Sequence, residues 1–214
     1  MNEFEIYASI DLRNKIIYDI GANIGKMSFE FLRLGAKHIY AFEPSPNNFL
    51  ELLNNSLSFP ITCYEVALHE KNYECKTQFK DCRTDYIDEY GKKQDTVQDI
   101  KYIVLENFIQ QNNIPFPDFI KMDIEGMESV VLKTFDFLFF KKIPMYIEIH
   151  AQPKDLDNQN YKDNPHWIYP QDGGFDFNKL KDYKYNIQKT NGEIIPFEDN
   201  WNPKPKTHEG WLIK

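Results

Sequence analysis

Residues 18–44 read YDIGANIGKMSFEFLRLGAKHIYAFEP, and no other stretch restricts the possible folds as tightly. An apolar run, 16–20, stops at Gly21, Ala22 and Asn23. After Gly25 the spacing turns helical over 26–34 and ends at Gly35, a C′ glycine by position. A second apolar run, 38–42, then leads into Glu43 and Pro44. A strand that bends into an amphipathic helix and returns as a strand is the crossover that parallel pairing demands. The rhythm continues with a helix from Pro46, a third strand over 61–68, helical spacing over 100–113, a strand over 118–124, a helix from Glu125, and a strand over 143–150. Such alternation predicts an α/β fold, a parallel sheet with helices on both faces. Asn191-Gly192 between alternating apolar flanks predicts a hairpin near the end of the chain.

The 214 residues, 42% hydrophobic, suffice for one core and one domain spanning 1–214, whether or not that domain belongs to a longer polypeptide. A formal net charge of −8 argues against a nucleic-acid partner, which calls for a basic face. No apolar run approaches the ~18–20 residues of a membrane span, and the first residues lack a signal-peptide core. Cys63, Cys75 and Cys82 show no metal spacing, so a cytoplasmic protein with reduced thiols is expected. Residues 70–99 break the rhythm as a polar stretch, read as a long loop or short irregular strands. The first strand comes so early that no N-terminal helix is expected before it. The acceptor site is then either open or covered by 70–99.

In a doubly wound sheet the ligand lies beyond the carboxyl ends of the strands, where the first strand turns into the first helix. Gly21 and Gly25 let the backbone bend and approach a ligand, and Ala22 keeps the turn uncrowded. The amides at the helix start favour a carboxylate or phosphate. Glu43, at the end of the second strand, can accept both hydroxyls of a ribose. A dinucleotide fingerprint requires glycine where Asn23 stands. Asp19 would repel a pyrophosphate but attract an amino group. An adenosine ligand with a cationic end and one carboxylate fits these charges: S-adenosylmethionine.

At this point the residues resemble those of the FkbM-type family of class I S-adenosylmethionine-dependent methyltransferases. The resemblance is carried by DIGANIG with AFEPSP, by DFIKMDIEGMESVVL and by YIEIH, and runs from about Tyr18 to His150. It implies a Rossmann-like, seven-stranded, mostly parallel sheet, six strands parallel and one antiparallel, closed by a C-terminal antiparallel hairpin. The cofactor contacts it implies are Asp19, Gly21, Ala22, Asn23, Gly25, Glu43, Pro44, Ala67 and Asp123. The activity it implies is methylation of a hydroxyl on a sugar, glycan or small metabolite.

Strand parity sharpens the chemistry. Lys121, Asp123 and Glu125 alternate with apolar residues, as do Glu148 and His150. Ionisable groups on a central strand need a partner or a use. Lys121 is expected to pair with Glu148, and Glu128 to serve as a first-turn acid. His150 is expected to take the acceptor's proton, with Glu125 or Asp123 holding it. Asp123, Glu125, Glu148 and His150 also form an oxygen/nitrogen set able to hold Mg²⁺ or Mn²⁺, but their spacing is no recognised motif, and no metal is assigned. Trp167, Tyr169 and Trp201 either stack on the acceptor or anchor loops. Two other readings stay open: a nicotinamide-dependent oxidoreductase, and a nucleoside-binding module without catalysis.

Overall fold

The computed structural model describes residues 3–78, 97–125, 127–149, 183–195 and 209–214. In chain order the elements are α1 (Glu3–Ala8), β1 (Ile16–Ile20), α2 (Lys26–Arg33), β2 (His38–Phe42), α3 (Pro46–Ser56), β3 (Ile61–Tyr64) and β4 (Ala67–Leu68). There follow β5 (Tyr73–Gln78), β6 (Val97–Ile103), α4 (Leu105–Gln111), β7 (Phe119–Met122), α5 (Glu128–Leu132), α6 (Asp136–Phe140) and β8 (Met145–Ile149). The last are β9 (Ile187–Lys189), β10 (Ile194–Ile195) and β11 (Glu209–Ile213).

The main sheet runs β10-β9-β11-β8-β7-β1-β2-β3. Strands β3, β2, β1, β7 and β8 pair in parallel. β11 is antiparallel to both β8 and β9, so β9 points the same way as β8. The expected mostly parallel seven-stranded sheet is present, with β10 added beside β9 through the turn at Asn191-Gly192.

Side-chain parity divides the core. Tyr18, Ile20, Ile120, Met122, Ile147 and Ile149 face one cluster that includes Leu105, Ile109, Leu132, Phe135 and Phe139 of α4–α6 and the turns beside them. Ile17, Phe119, Tyr146 and Leu212 face a second cluster with Ile6 and Tyr7 of α1 and Met27 and Phe31 of α2. Strands covered on both faces read as near-continuous apolar runs, which is why β1 and β7 are legible in the sequence. α2 stops where its pattern stops: Gly35, at φ 94°, donates to the Leu32 carbonyl at 2.9 Å and Ala36 to that of Phe31 at 3.0 Å. That pair of bonds is the Schellman closure a C′ glycine permits.

Several expectations need correction. A helix does precede the first strand: α1 buries Ile6 and Tyr7 against the sheet. Residues 100–103 are strand rather than helix, because β6 pairs antiparallel with β5 and parallel with β4 in a separate three-stranded sheet. The third strand accordingly ends at Tyr64, and Ala67 belongs to β4 of that smaller sheet. The helix read from Glu125 is two short helices, α5 and α6. Residues 79–96, Cys82, Trp167, Tyr169, Trp201 and His150 lie outside the described residues. Among the described residues, no helix is long and apolar enough to cross a membrane.

Candidate functional site at the strand ends

The carboxyl ends of β1, β2 and β7 meet at the glycine turn. Gly21, at φ 76°, donates to the Phe42 carbonyl at 2.9 Å, and Ala22 donates to the same oxygen at 3.1 Å. A Cβ built on Gly21 would stand 1.8 Å from the Asp123 carbonyl oxygen, so only glycine allows the turn to rest on the end of β7. Asn23 takes the left-handed conformation, φ 52°, and its side-chain oxygen accepts the Ile24 amide at 2.8 Å. Asparagine tolerates that geometry better than other side chains because it bonds locally, which explains an amide where a dinucleotide site needs glycine. Gly25 then opens α2 at φ 95°, and no side chain caps the helix start.

Glu43 is buried just past β2. Its Oε2 accepts the Asn23 amide at 2.8 Å and its Oε1 the Ser45 amide at 2.9 Å. Backbone donors from two different turns thus fix the plane of the carboxylate. Pro44 is half-buried beside it.

Beneath the turn lies a buried ionic cluster. Lys121 Nζ donates to the Gly21 carbonyl at 2.8 Å and stands 3.4 Å from Asp19 Oδ1 and 3.7 Å from Asp123 Oδ2. Its expected partner, Glu148, is replaced by these two acids, because Asp19 and Lys121 are paired residues on adjacent parallel strands. Asp19 is fully buried, and its Oδ2 accepts the Ser28 hydroxyl at 2.6 Å. Burial pulls the Lys121 pKa down, but Asp19 and Asp123 more than offset it and leave the group above lysine's ordinary value. Lys121 is therefore a buried cation that ties the end of β1 and the glycine turn to the end of β7.

After β7 the Asp123 amide returns to the Ile20 carbonyl at 3.0 Å, and the Glu128 carboxylate accepts the Ile124 amide at 3.3 Å. Glu128, buried at the first residue of α5, is thus the first-turn acid that was expected. Glu125 sits between them at φ 56°. A left-handed backbone costs a non-glycine residue about 1–3 kcal/mol and clusters at functional sites. If the carboxylate is what retains glutamate here, Glu125→Gly should leave the melting temperature unchanged or slightly higher while turnover falls about 100-fold. Loss of stability together with unchanged turnover would overturn that assignment.

The structure thus brings together Asp19, Gly21, Ala22, Asn23, Gly25, Glu43, Pro44 and Asp123, with Glu125 just beyond. Glu148 is half-buried at the end of β8. Among the described residues, no three His, Cys, Asp or Glu side chains could together hold a metal ion. The reading from sequence passed over Glu3 and Tyr7 of α1, the first acted on by the charges of this edge and the second buried in the core cluster beneath it. Their only trace in the sequence is the i, i+4 spacing of an acid and an aromatic in a helix of barely two turns.

The model of the FkbM methyltransferase domain matches residues 19–187. Hexuronic acid methyltransferase AglP of Haloferax volcanii is 26% identical over 143 residues; the match covers 66% of this chain and 59% of that protein, so this chain spans less than two thirds of its length. Among solved structures, fibrillarin of Aeropyrum pernix, with natively bound S-adenosyl-L-methionine, superposes with a TM-score of 0.51 at 11% identity, covering 98% of this chain and 73% of that one. The ribosomal protein L11 methylase of Lactobacillus delbrueckii subsp. bulgaricus superposes with a TM-score of 0.50 at 10% identity, covering 99% and 76%. At such identities the likeness is one of fold, and the fold is that of Rossmann-like class I methyltransferases.

Proposed function

The chain belongs to the FkbM-type family of S-adenosylmethionine-dependent methyltransferases, and from that premise we propose that it methylates a hydroxyl oxygen of a sugar, glycan or other small polyhydroxyl acceptor. The observation that carries the reading is Glu43, a buried carboxylate oriented by the Asn23 and Ser45 amides beside an uncapped, glycine-opened helix start. In this reading Glu43 accepts the ribose hydroxyls. The first-turn amides of α2 take the methionine carboxylate. Asp123 faces the amino group, while Asp19, enclosed with Ser28 and Lys121, shapes the turn from below. Pro44 and Ala67 are assigned to the wall of the adenine.

When bound, the cofactor supplies an electrophilic methyl on sulfur, so the chain's task is chiefly orientation. Positioning can contribute about 7–11 kcal/mol, against roughly 10²–10⁴-fold for a general base. His150 is the proposed proton acceptor, held by Glu125 or Asp123, and its support is the sequence resemblance. The hexuronic acid methyltransferase relative supports a sugar-like acceptor. Membership of a methyltransferase family leaves a nicotinamide oxidoreductase without support. A silent module would bind the donor product and transfer nothing.

The test is calorimetry with S-adenosylhomocysteine. Wild-type protein should bind, and Glu43→Gln should bind about 30–100-fold more weakly, because the amide exchanges an acceptor for a donor against the ribose and one turn amide. Equal affinity in the two proteins would remove Glu43 from the site. Radiolabelled donor offered with a panel of glycosides then separates an enzyme from a silent module.

A further inference from the structure

The proposed donor site occupies one end of the main sheet, and the opposite end carries a different chemistry. The amino ends of the parallel strands lie there in a row, about 4.8 Å apart, in the order β3, β2, β1, β7, β8. Lys37 leads into β2, Lys15 into β1, and Lys141 and Lys142 into β8. Lys184 precedes β9, which points the same way as β8. Contacts join the row. The Lys37 amide donates to the Lys15 carbonyl at 2.8 Å, and Lys15 Nζ lies 3.6 Å from Asp118 Oδ1, just before β7. Lys142 Nζ lies 4.7 Å from the centroid of the Tyr185 ring, next to Lys184.

These lysines are all exposed. Among the described residues, Lys37, Lys141, Lys142 and Lys184 have no acid partner, although the chain as a whole carries a net charge of −8. The nearby acids are differently placed. Asp118 is held by Lys15 and the Ile16 amide, Asp11 is closed on Arg13 at 2.7 and 3.0 Å, and Asp136 opens α6. In the middle of the row a loop presents an aromatic ring. Phe116 is 41% exposed between Pro115 and Pro117, which restrict the backbone. The loop is also pinned: the Tyr18 hydroxyl donates to the Pro115 carbonyl, and the Asp118 amide to the Ile16 carbonyl, both at 2.7 Å. Phe137 backs Phe116 at 4.7 Å, and Lys141 Nζ lies 5.2 Å from that second ring. At the β3 end of the row Leu57, closing α3, is 78% exposed.

We propose that this amino-end face of the sheet, with Phe116 and Leu57 set among Lys37, Lys141, Lys142 and Lys184, docks on the surface of a bilayer that contains anionic lipid. The negative potential of such a surface attracts clustered lysines, and protruding apolar side chains enter the headgroup boundary. Lysine, a flexible point charge, suits a diffuse potential. Recognition of nucleic acid draws on arginine forks, and Arg13 is already closed on Asp11. Because Phe116 is held in place before docking, little ordering entropy opposes its insertion. Docked by this face, the carboxyl ends of the strands stand roughly 15–20 Å further from the lipid, the length of a strand such as β1. The donor site is then on the aqueous side.

The experiment is co-sedimentation with vesicles of phosphatidylcholine alone and of phosphatidylcholine with about 30% phosphatidylserine. Wild-type protein should bind the anionic vesicles at least about 10-fold more tightly, and the difference should shrink as salt rises from about 0.05 to 0.5 M. Lys141→Gln combined with Lys142→Gln should weaken binding at low salt about 20-fold, roughly fivefold for each lysine. Phe116→Ala should weaken it about fivefold at both salt concentrations, because apolar insertion is not screened. Melting temperatures within about 2 °C of wild type show that the variants have lost a surface and not the fold. The proposal is overturned if wild-type protein leaves anionic vesicles unbound, or binds neutral and anionic vesicles alike. Folded variants that sediment as wild type does overturn it as well. Tighter binding to a single-stranded RNA oligonucleotide than to the vesicles, lost with the same two lysines, would assign the face to nucleic acid and overturn it too.

Discussion

Gly21→Ala should lose both stability and the donor site. The added methyl would have to occupy a point 1.8 Å from the Asp123 carbonyl oxygen, and that oxygen belongs to backbone rather than to a side chain that can swing away. Overpacking of this kind costs about 1–3 kcal/mol. Holding alanine at φ 76° adds roughly 1–2 kcal/mol more. The summed loss, about 2–5 kcal/mol, is a large part of the stability of an ordinary domain. If the chain escapes the clash by moving, Asp123 and the amides of the turn move with it, so S-adenosylhomocysteine affinity should fall at least about 100-fold. Denaturant unfolding and calorimetry measure the two effects separately. A variant with wild-type midpoint and affinity would mean that the turn does not rest on β7 as described.

Lys121→Met is the second substitution with a large expected effect. Methionine matches the lysine stem in volume but leaves the fully buried Asp19 carboxylate, among the described residues, with the Ser28 hydroxyl alone, and removes the ammonium that stands 3.7 Å from Asp123. Removing one partner of a buried pair costs about 3–5 kcal/mol. Adding Asp19→Asn should recover much of that loss, because the orphaned charge is gone while the contact with Ser28 can persist. A double variant no more stable than the single one would show that the pair with Asp19 is not the source of the loss. The raised Lys121 pKa fixes the pH dependence. A base whose folded pKa exceeds its unfolded one stabilises fully below the unfolded value and loses that contribution only as pH climbs through the folded one. Between about pH 6 and 9, wild-type stability should therefore show no loss from the titration of Lys121.

The parts of the fold that were legible in the sequence are those dictated by local chemistry. β1, β2 and β7 read as mostly apolar runs because both of their faces are covered, and α2 ends at Gly35 because a left-handed C′ residue satisfies its last carbonyls. The hairpin around Asn191-Gly192 was equally visible, since the turn requires positive φ at Gly192. The glycine turn and the acid that follows β2 could be placed together from spacing alone, and the structure joins them through the Asn23 amide and Glu43. β6 could not be read correctly: its apolar residues also fit helical spacing, and only pairing with β4 and β5 selects the strand. α1 was missed because a six-residue helix has almost no intrinsic stability and exists through the burial of Ile6 and Tyr7.

What the sequence alone determined is thus the crossover from β1 through α2 to β2, the bend at Gly21, and the acid at the end of β2. Each follows from propensity and periodicity within a dozen neighbouring residues. Only the tertiary structure decided the partners of the charges. Lys121 serves Asp19 and Asp123 rather than Glu148, and Glu3 joins the same edge from the far end of the chain. Coulombic energy in a buried site depends on distance through space, and a linear sequence does not carry that distance until the sheet has closed and α1 has docked on it.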